Sequence, residues 1–264
     1  MWYTLVMTKI AIILTSIERP QALKKSIESI IAQWQENWVL FVGLQDVYYT
    51  SESFLLMDKI ISANPDKAIR IYGFGYNCGI SKARNELIHK AHLWGCEYVL
   101  LTADSILFDK SMRHIENIVD YLSHYDLIGM NLNNRTPWEA KLNLILGHSF
   151  ELDFIDPKEK ELATITDCDI VRNFWIARTE ALMKVPYDEQ LVACEHEDFF
   201  WRAKQQGLIV GCTNLCSGTY NKGENTPEYD KIRATNFRIG QQRLKDKYQL
   251  KSWISYKNLQ RTQL

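Results

Sequence analysis

The 264-residue chain reads as an α/β protein: a doubly wound, mostly parallel sheet flanked by helices, with a helical C-terminal tail. Three observations predict this. Apolar β-type runs recur through the first hundred or so residues, segments with apolar residues at helical spacing stand between them, and from about Glu228 the pattern turns basic and amphipathic.

The elements follow in order. Lys9 to Thr15 is an apolar strand, and Pro20 then opens a helix whose face is Leu23, Ile27, Ile30, Ile31 and Trp34. Trp38 to Leu44 and Ile69 to Gly73 are the second and third strands. Ser81 is placed to cap the helix that runs to about Leu93. Tyr98 to Thr102 is the fourth strand, and Ile115, Ile118, Val119 and Leu122 mark another helix. Between Asn131 and Thr166 the regularity fails in a mixed-polarity stretch with Pro137, Pro157 and a PKEKE run, which predicts a long irregular insertion. Ile170 to Ile176 is strand-like, and Asp198 to Gln206 is helical up to Gly207. In the tail, Ile232, Phe237, Leu244 and Tyr248 interleave with Arg233, Arg238, Arg243 and Lys247. Such helices either pack their apolar side on the domain or lie on an anionic membrane surface.

Composition excludes several classes. With 31 Lys and Arg against 32 Asp and Glu, the chain has no global signature of nucleic-acid binding. Six cysteines without a CxxC pair predict reduced, mostly buried thiols rather than a zinc site. The start MWYTLVMTKIAIILTS lacks a charged leader and a small-residue cleavage site, so it resembles a first buried strand. No run approaches the roughly 20 apolar residues of a membrane span. The expected location is cytoplasmic, with peripheral membrane contact through the basic tail.

In an open α/β sheet, ligands sit beyond the carboxyl ends of the strands. Four polar clusters occupy those places: Thr15 to Pro20, Gln45-Asp46, Asn77 to Asn85, and Thr102 to Ser105. Each alone is ordinary turn or cap chemistry; their recurrence at four successive strand ends points to a binding site. Gly73, Gly75 and Gly79 suggest a dinucleotide loop, but the third glycine falls one residue late for G-x-G-x-x-G.

The succession ILTSIERP, NCGISKARN, YVLLTADS and EHEDFFWR resembles the family 2-type GT-A glycosyltransferases. The block IVRNFWIARTEAL followed by EHEDFFWRAKQQG is most similar to their β-galactosyl and β-N-acetylgalactosaminyl transferase branch. The resemblance implies a GT-A core over residues 1–225, with a nucleotide-binding half to residue 105 and an acceptor half beyond it, then the tail at 226–264. It implies that Thr15, Ser16 and Glu18 line the nucleoside pocket, that Asp46 recognises the uracil, and that Asn77 and Arg84 contact the donor. Thr102, Ala103 and Asp104 take the place of the DxD motif, with Asp104 facing the diphosphate and its divalent metal, Mn2+ or Mg2+. Asp198 is the implied general base, and Arg172, Asn173 and Glu197 are implied sugar or acceptor contacts.

The implied activity is inverting transfer of a hexose or N-acetylhexosamine, galactose or N-acetylgalactosamine in that branch, from a UDP-sugar to a glycan or lipid-linked saccharide. Thr102 stands where the family has an acid, Ile17 replaces its usual aromatic, and no histidine follows His196 as a late metal ligand. Tyr220, Asn221 and Glu224 lie in that late region. A sugar-nucleotide or glycan-binding protein that has lost transfer is the alternative. A nucleotidyltransferase is disfavoured, because LTSIERP has no glycine for a phosphate loop.

Overall fold

The computed structural model of the chain describes residues 8–46, 51–136, 138–156, 164–223 and 225–257. Pro137, Pro157, the PKEKE run, Glu224 and the first seven residues of the start lie outside them.

The first half alternates strand and helix. β1 (Ile10–Ser16), β2 (Trp38–Leu44), β3 (Ile69–Gly73) and β4 (Tyr98–Leu101) are parallel and lie side by side in the order β3-β2-β1-β4. The continuous apolar runs of β1 and β2 follow from burial on both faces, since helices cover the sheet from either side. α1 (Pro20–Ala32) begins with proline, which has no amide hydrogen to leave unpaired, and buries Leu23, Ile27 and Ile30. α2 (Glu52–Ala63) is capped by Ser51. α3 (Ile80–Leu93) starts after Gly79, whose φ of 93° suits a residue without a side chain. Ser81 is therefore not the cap: its hydroxyl donates to the Leu191 carbonyl at 2.5 Å.

The second half departs further from expectation. The helix expected around Ile115 is broken into a 3₁₀ turn at Lys110–His114, α4 (Glu116–Val119) and a second 3₁₀ turn at Asp120–Ser123. β5 (Ile106–Phe108) and β6 (Leu127–Leu132) flank it, and neither was foreseen. The supposed irregular insertion holds a hairpin of β7 (Ala140–Ile145) and β8 (Ser149–Phe154). The alternation was there to be read: Ala140 and Leu142 are buried, Lys141 and Asn143 are not. Gly147, with φ of 70°, makes the turn.

β9 (Thr166–Cys168) follows, and of the strand-like stretch only Trp175 and Ile176 enter a strand, β10 (Trp175–Arg178). β10 is antiparallel to both β4 and β6, joining the two halves in the order β3-β2-β1-β4-β10-β6-β11-β5 once α5 (Thr179–Lys184), α6 (Glu195–Gln205) and β11 (Val210–Tyr220) are in place.

The tail packs against this core. α7 (Pro227–Tyr248) is capped by Thr226, and β12 (Ile254–Tyr256) adds a parallel strand to β8. Leu244 is fully buried. Gly240 lets α7 press on the Ala193 carbonyl, where any side chain would collide with backbone. On the basic face, Arg243 bonds the Gln190 carbonyl and Lys247 pairs with Asp188 at 2.6 Å. Among the described residues no helix is long and apolar enough to cross a membrane. All six cysteines are free, and five are buried.

Candidate active site

The carboxyl ends of β1 and β4, the starts of α3 and α6, the segment before β10 and one face of α7 enclose a cavity of about 540 Å³. Thr15 and Ser16 reach it from the end of β1, Thr102, Ala103 and Asp104 from the end of β4, and Asn77 and Arg84 from the third strand-end cluster. Arg172, Asn173 and Glu197 line its other side. Backbone strain gathers at its rim: Asn77 and Cys194 line it with φ of 49° and 58°, and Glu18 (φ 53°) sits between two lining residues.

Three expected residues are not among those that line it. The Glu18 amide donates to Asp46 Oδ1 at 2.8 Å, and the Ser51 hydroxyl donates to Asp46 Oδ2 at 3.2 Å. Asp46 thus shapes the loop that follows β2, and Gln45 beside it lines the cavity. Burial, with the neighbouring charges of Asp46 and Glu228, pushes the Glu18 carboxyl up. Asp198 is the third. Fully buried, it accepts from Arg202 Nε at 2.8 Å and from the Tyr248 hydroxyl at 2.8 Å, and it pairs with Lys247 Nζ at 2.6 Å. The i,i+4 pairing with Arg202 is part of a clasp between α6 and the end of α7. Asp198 thus sits in this clasp and not among the residues that line the cavity.

The other acids of the EHED cluster face the cavity. Glu195 is bound to Arg84 at 2.6 Å, with that guanidinium over the Tyr187 ring. His196 Nδ1 lies 3.0 Å from Asn173 Oδ1, and burial and then the charges of Arg84 and Arg172 hold its pKa down to about 3. Glu197 is 2% exposed, accepts from Trp253 Nε1 at 3.3 Å, and makes no ion pair among the described residues. Its pKa is pushed up to about 8, mainly by burial. The start of a helix favours an ionised carboxylate, but at Glu197 desolvation outweighs the dipole.

Asp104 lines the cavity just beyond the end of β4. Arg19 Nη1 donates to its Oδ1 at 2.6 Å and the Ser16 hydroxyl donates to its Oδ2 at 2.8 Å. Burial raises its pKa, while the charge of Arg19 and these hydrogen bonds oppose the rise. A divalent metal needs several oxygen or nitrogen ligands converging on one point. Both oxygens of Asp104 are engaged by protein donors, Thr102 offers only a buried hydroxyl without a partner, and no group of three His, Cys, Asp or Glu able to hold a metal gathers among the described residues. Among the described residues this donor set does not fit a metal: Asp104 holds a guanidinium.

Several residues of the site had no sequence signal of their own. Trp138, Tyr229, Arg233 and Trp253 come from the insertion and the tail. Arg19 stood in the first strand-end cluster but without an assigned role.

The two titrating groups imply a stability optimum. Glu197 keeps its proton to about pH 8 when folded but loses it near 4.5 when unfolded, so its contribution is full below about 4.5 and is lost as pH rises to 8. His196, neutral down to about pH 3 when folded, protonates near 6.5 when unfolded, so its contribution is full above 6.5 and is lost as pH falls towards 3. Between these limits the two effects cancel, so thermal melts are expected to be highest and flat from about pH 4.5 to 6.5. In Glu197→Gln the decline towards pH 8.5 should flatten; an unchanged decline would show that Glu197 titrates normally.

No protein-family model and no curated protein matches the chain. Solved structures do. TarS from S. aureus is 13% identical with a TM-score of 0.57, over 87% of this chain and 39% of that one. TarS 1-349 in complex with UDP-GlcNAc is 12% identical, TM-score 0.56, over 92% and 73%. GalNAc-T7 with UDP, GalNAc and Mn2+ is 11% identical, TM-score 0.63, over 88% and 48%. The chain thus spans less than half the length of the TarS and GalNAc-T7 chains in the first and last of these structures. At such identities the likeness is one of architecture: the large, mostly parallel sheet flanked by helices is the GT-A-like fold of these glycosyltransferases.

Proposed function

We propose that the chain transfers a hexose or N-acetylhexosamine from a UDP-sugar to a hydroxyl of a glycan or lipid-linked saccharide, with inversion, and that Glu197 is the general base. The observation that carries this reading is Glu197 itself, the carboxyl of the EHED helix start that lines the cavity without an ion pair. The strand-end residues Thr15, Ser16, Asn77, Thr102 and Ala103 form the donor side, in keeping with the UDP and UDP-GlcNAc bound by TarS 1-349 and the UDP bound by GalNAc-T7. On the other side Trp138, flanked by Arg172 and His196, offers an aromatic face to a sugar ring.

In the reaction the acceptor oxygen bonds to the anomeric carbon as the bond from that carbon to the phosphate oxygen breaks. UDP leaves with the electron pair, and the acceptor proton passes to Glu197. The exposed Lys231 and Arg238 on α7 suit weak attraction to an anionic membrane carrying a lipid-linked acceptor.

A thermal-shift and hydrolysis screen of UDP-, GDP-, CMP- and dTDP-sugars tests the donor class. UDP-sugars alone are expected to raise the melting temperature and to be hydrolysed slowly; no response, or an equal response to all four, would overturn the reading. A sugar-nucleotide binder without transfer is the second reading, favoured by the raised pKa of Glu197. It predicts UDP-sugar stabilisation with no hydrolysis or transfer even at pH 8.5, where Glu197 is ionised.

A further inference from the structure

The cavity carries more positive charge than its acids neutralise. Five arginines line it: Arg19, Arg84, Arg135, Arg172 and Arg233. Among the described residues three acids do, Asp104, Glu195 and Glu197, in a chain whose overall charge is −1. The first two are each tied to one arginine, Asp104 to Arg19 and Glu195 to Arg84. Even with every acid ionised, the site keeps an excess of two positive charges, a local field that attracts an anion.

Arg19 is held at several points. It leaves the carboxyl end of β1 and is only 4% exposed. Its guanidinium is fixed by Asp104 at 2.6 Å, by the Lys222 carbonyl, and by the Tyr229 ring, whose centroid is 4.7 Å away. Its Nε is buried with no hydrogen-bond partner. A buried donor left unpaired is costly, and an incoming oxygen would relieve it. Arg233, from α7, lines the same cavity and acts electrostatically on Asp104 and Tyr229. For a metal to take Asp104, the carboxylate would have to release Arg19 and leave a buried cation unpaired, which is strongly unfavourable.

We propose, resting on the glycosyl-transfer reading above, that Arg19 and Arg233 neutralise the donor diphosphate in place of a divalent metal, with Asp104 as the positioning residue that fixes Arg19. Guanidinium groups suit this role, because their planar donors match phosphate oxygens two at a time and keep their charge at every working pH. As the glycosidic bond breaks, the leaving diphosphate gains negative charge, and cations held in place beforehand stabilise it without reorganising.

Calorimetry of UDP binding to the full chain, in EDTA and in Mn2+, tests this. UDP affinity is expected to differ by no more than about threefold between the two conditions. Arg19→Met should weaken binding about ten- to hundredfold in both, and Arg233→Ala, at an exposed position, about two- to fivefold. Asp104→Asn should weaken UDP in EDTA as well as in Mn2+, which a lost metal ligand would not do. Arg19→Lys, which keeps the charge beside Asp104, should fall between wild type and Met and stands in if the Met variant does not fold by circular dichroism. Binding that requires Mn2+, or Arg19 and Arg233 variants that bind as wild type, would overturn the inference and leave the transferase reading intact. Failure of wild type to bind UDP under either condition would instead remove the reading on which it rests.

Discussion

Glu197→Gln is expected to lower sugar transfer by about two to four orders of magnitude, the range for loss of a general base, while UDP affinity stays near wild type. The amide keeps the shape and the hydrogen bond from Trp253 but cannot take a proton. In wild type, the pH dependence of kcat/KM should rise with an apparent pKa near 8, because the buried carboxyl holds its proton to about that value. The rising limb should be absent from the residual activity of the Gln variant. Near wild-type turnover in Glu197→Gln, or a profile already flat at pH 6, would show that another group accepts the proton. His196 is the natural comparison: its imidazole also faces the cavity, but a pKa near 3 makes it a weak base.

Asp198→Ala is expected to act on stability, by about 2–4 kcal/mol. The residue is fully buried and ties Arg202, Lys247 and Tyr248 together, so its removal strands the Arg202 cation and a hydroxyl at the junction of α6 and α7, while Lys247 keeps Asp188. Arg202 and Lys247 are 27% and 32% exposed at their side chains, so water recovers part of the loss. For a chain of this size the melting temperature should fall by about 5–15 °C. Asp198→Asn, which keeps an acceptor for Tyr248, should lose less. Transfer by either variant, measured well below its melting point, should remain within about tenfold of wild type, against the far larger loss that removal of a base would bring. A stable Asp198→Asn protein with activity lost by several orders of magnitude would restore Asp198 as the base.

The first half of the fold was legible because its physics is local. Parallel strands covered by helices on both faces are continuous apolar runs, and β1 and β2 show them without interruption. Beyond strand ends so defined, polar residues must face the ligand side of the sheet, so Thr15, Ser16, Asn77, Thr102, Ala103 and Asp104 could be assigned from one dimension. β11 carries Thr213, Asn214 and Ser217 through its length, because its irregular register against β6 leaves part of it outside the core pattern; an apolar-run criterion misses it. The β7–β8 hairpin was masked by prolines and charges on either side of a clear alternation.

What the amino-acid order determined by itself was the parallel half of the sheet, the strand ends that bear ligand-facing residues, and an acidic cluster at the start of a late helix. It could not say which acids of that cluster line the cavity. Successive residues on a helix turn by about 100°, so within Glu195 to Asp198 the side that meets the cavity depends on what packs against the other side. That packing comes from the tail: α7 brings Lys247 and Tyr248 to Asp198, and the segment beyond it brings Trp253 to Glu197. The same holds for Asp104, which one motif marked as a metal ligand. Only the folded chain, with Arg19 and Ser16 converging from the end of β1, made it the anchor of a buried arginine.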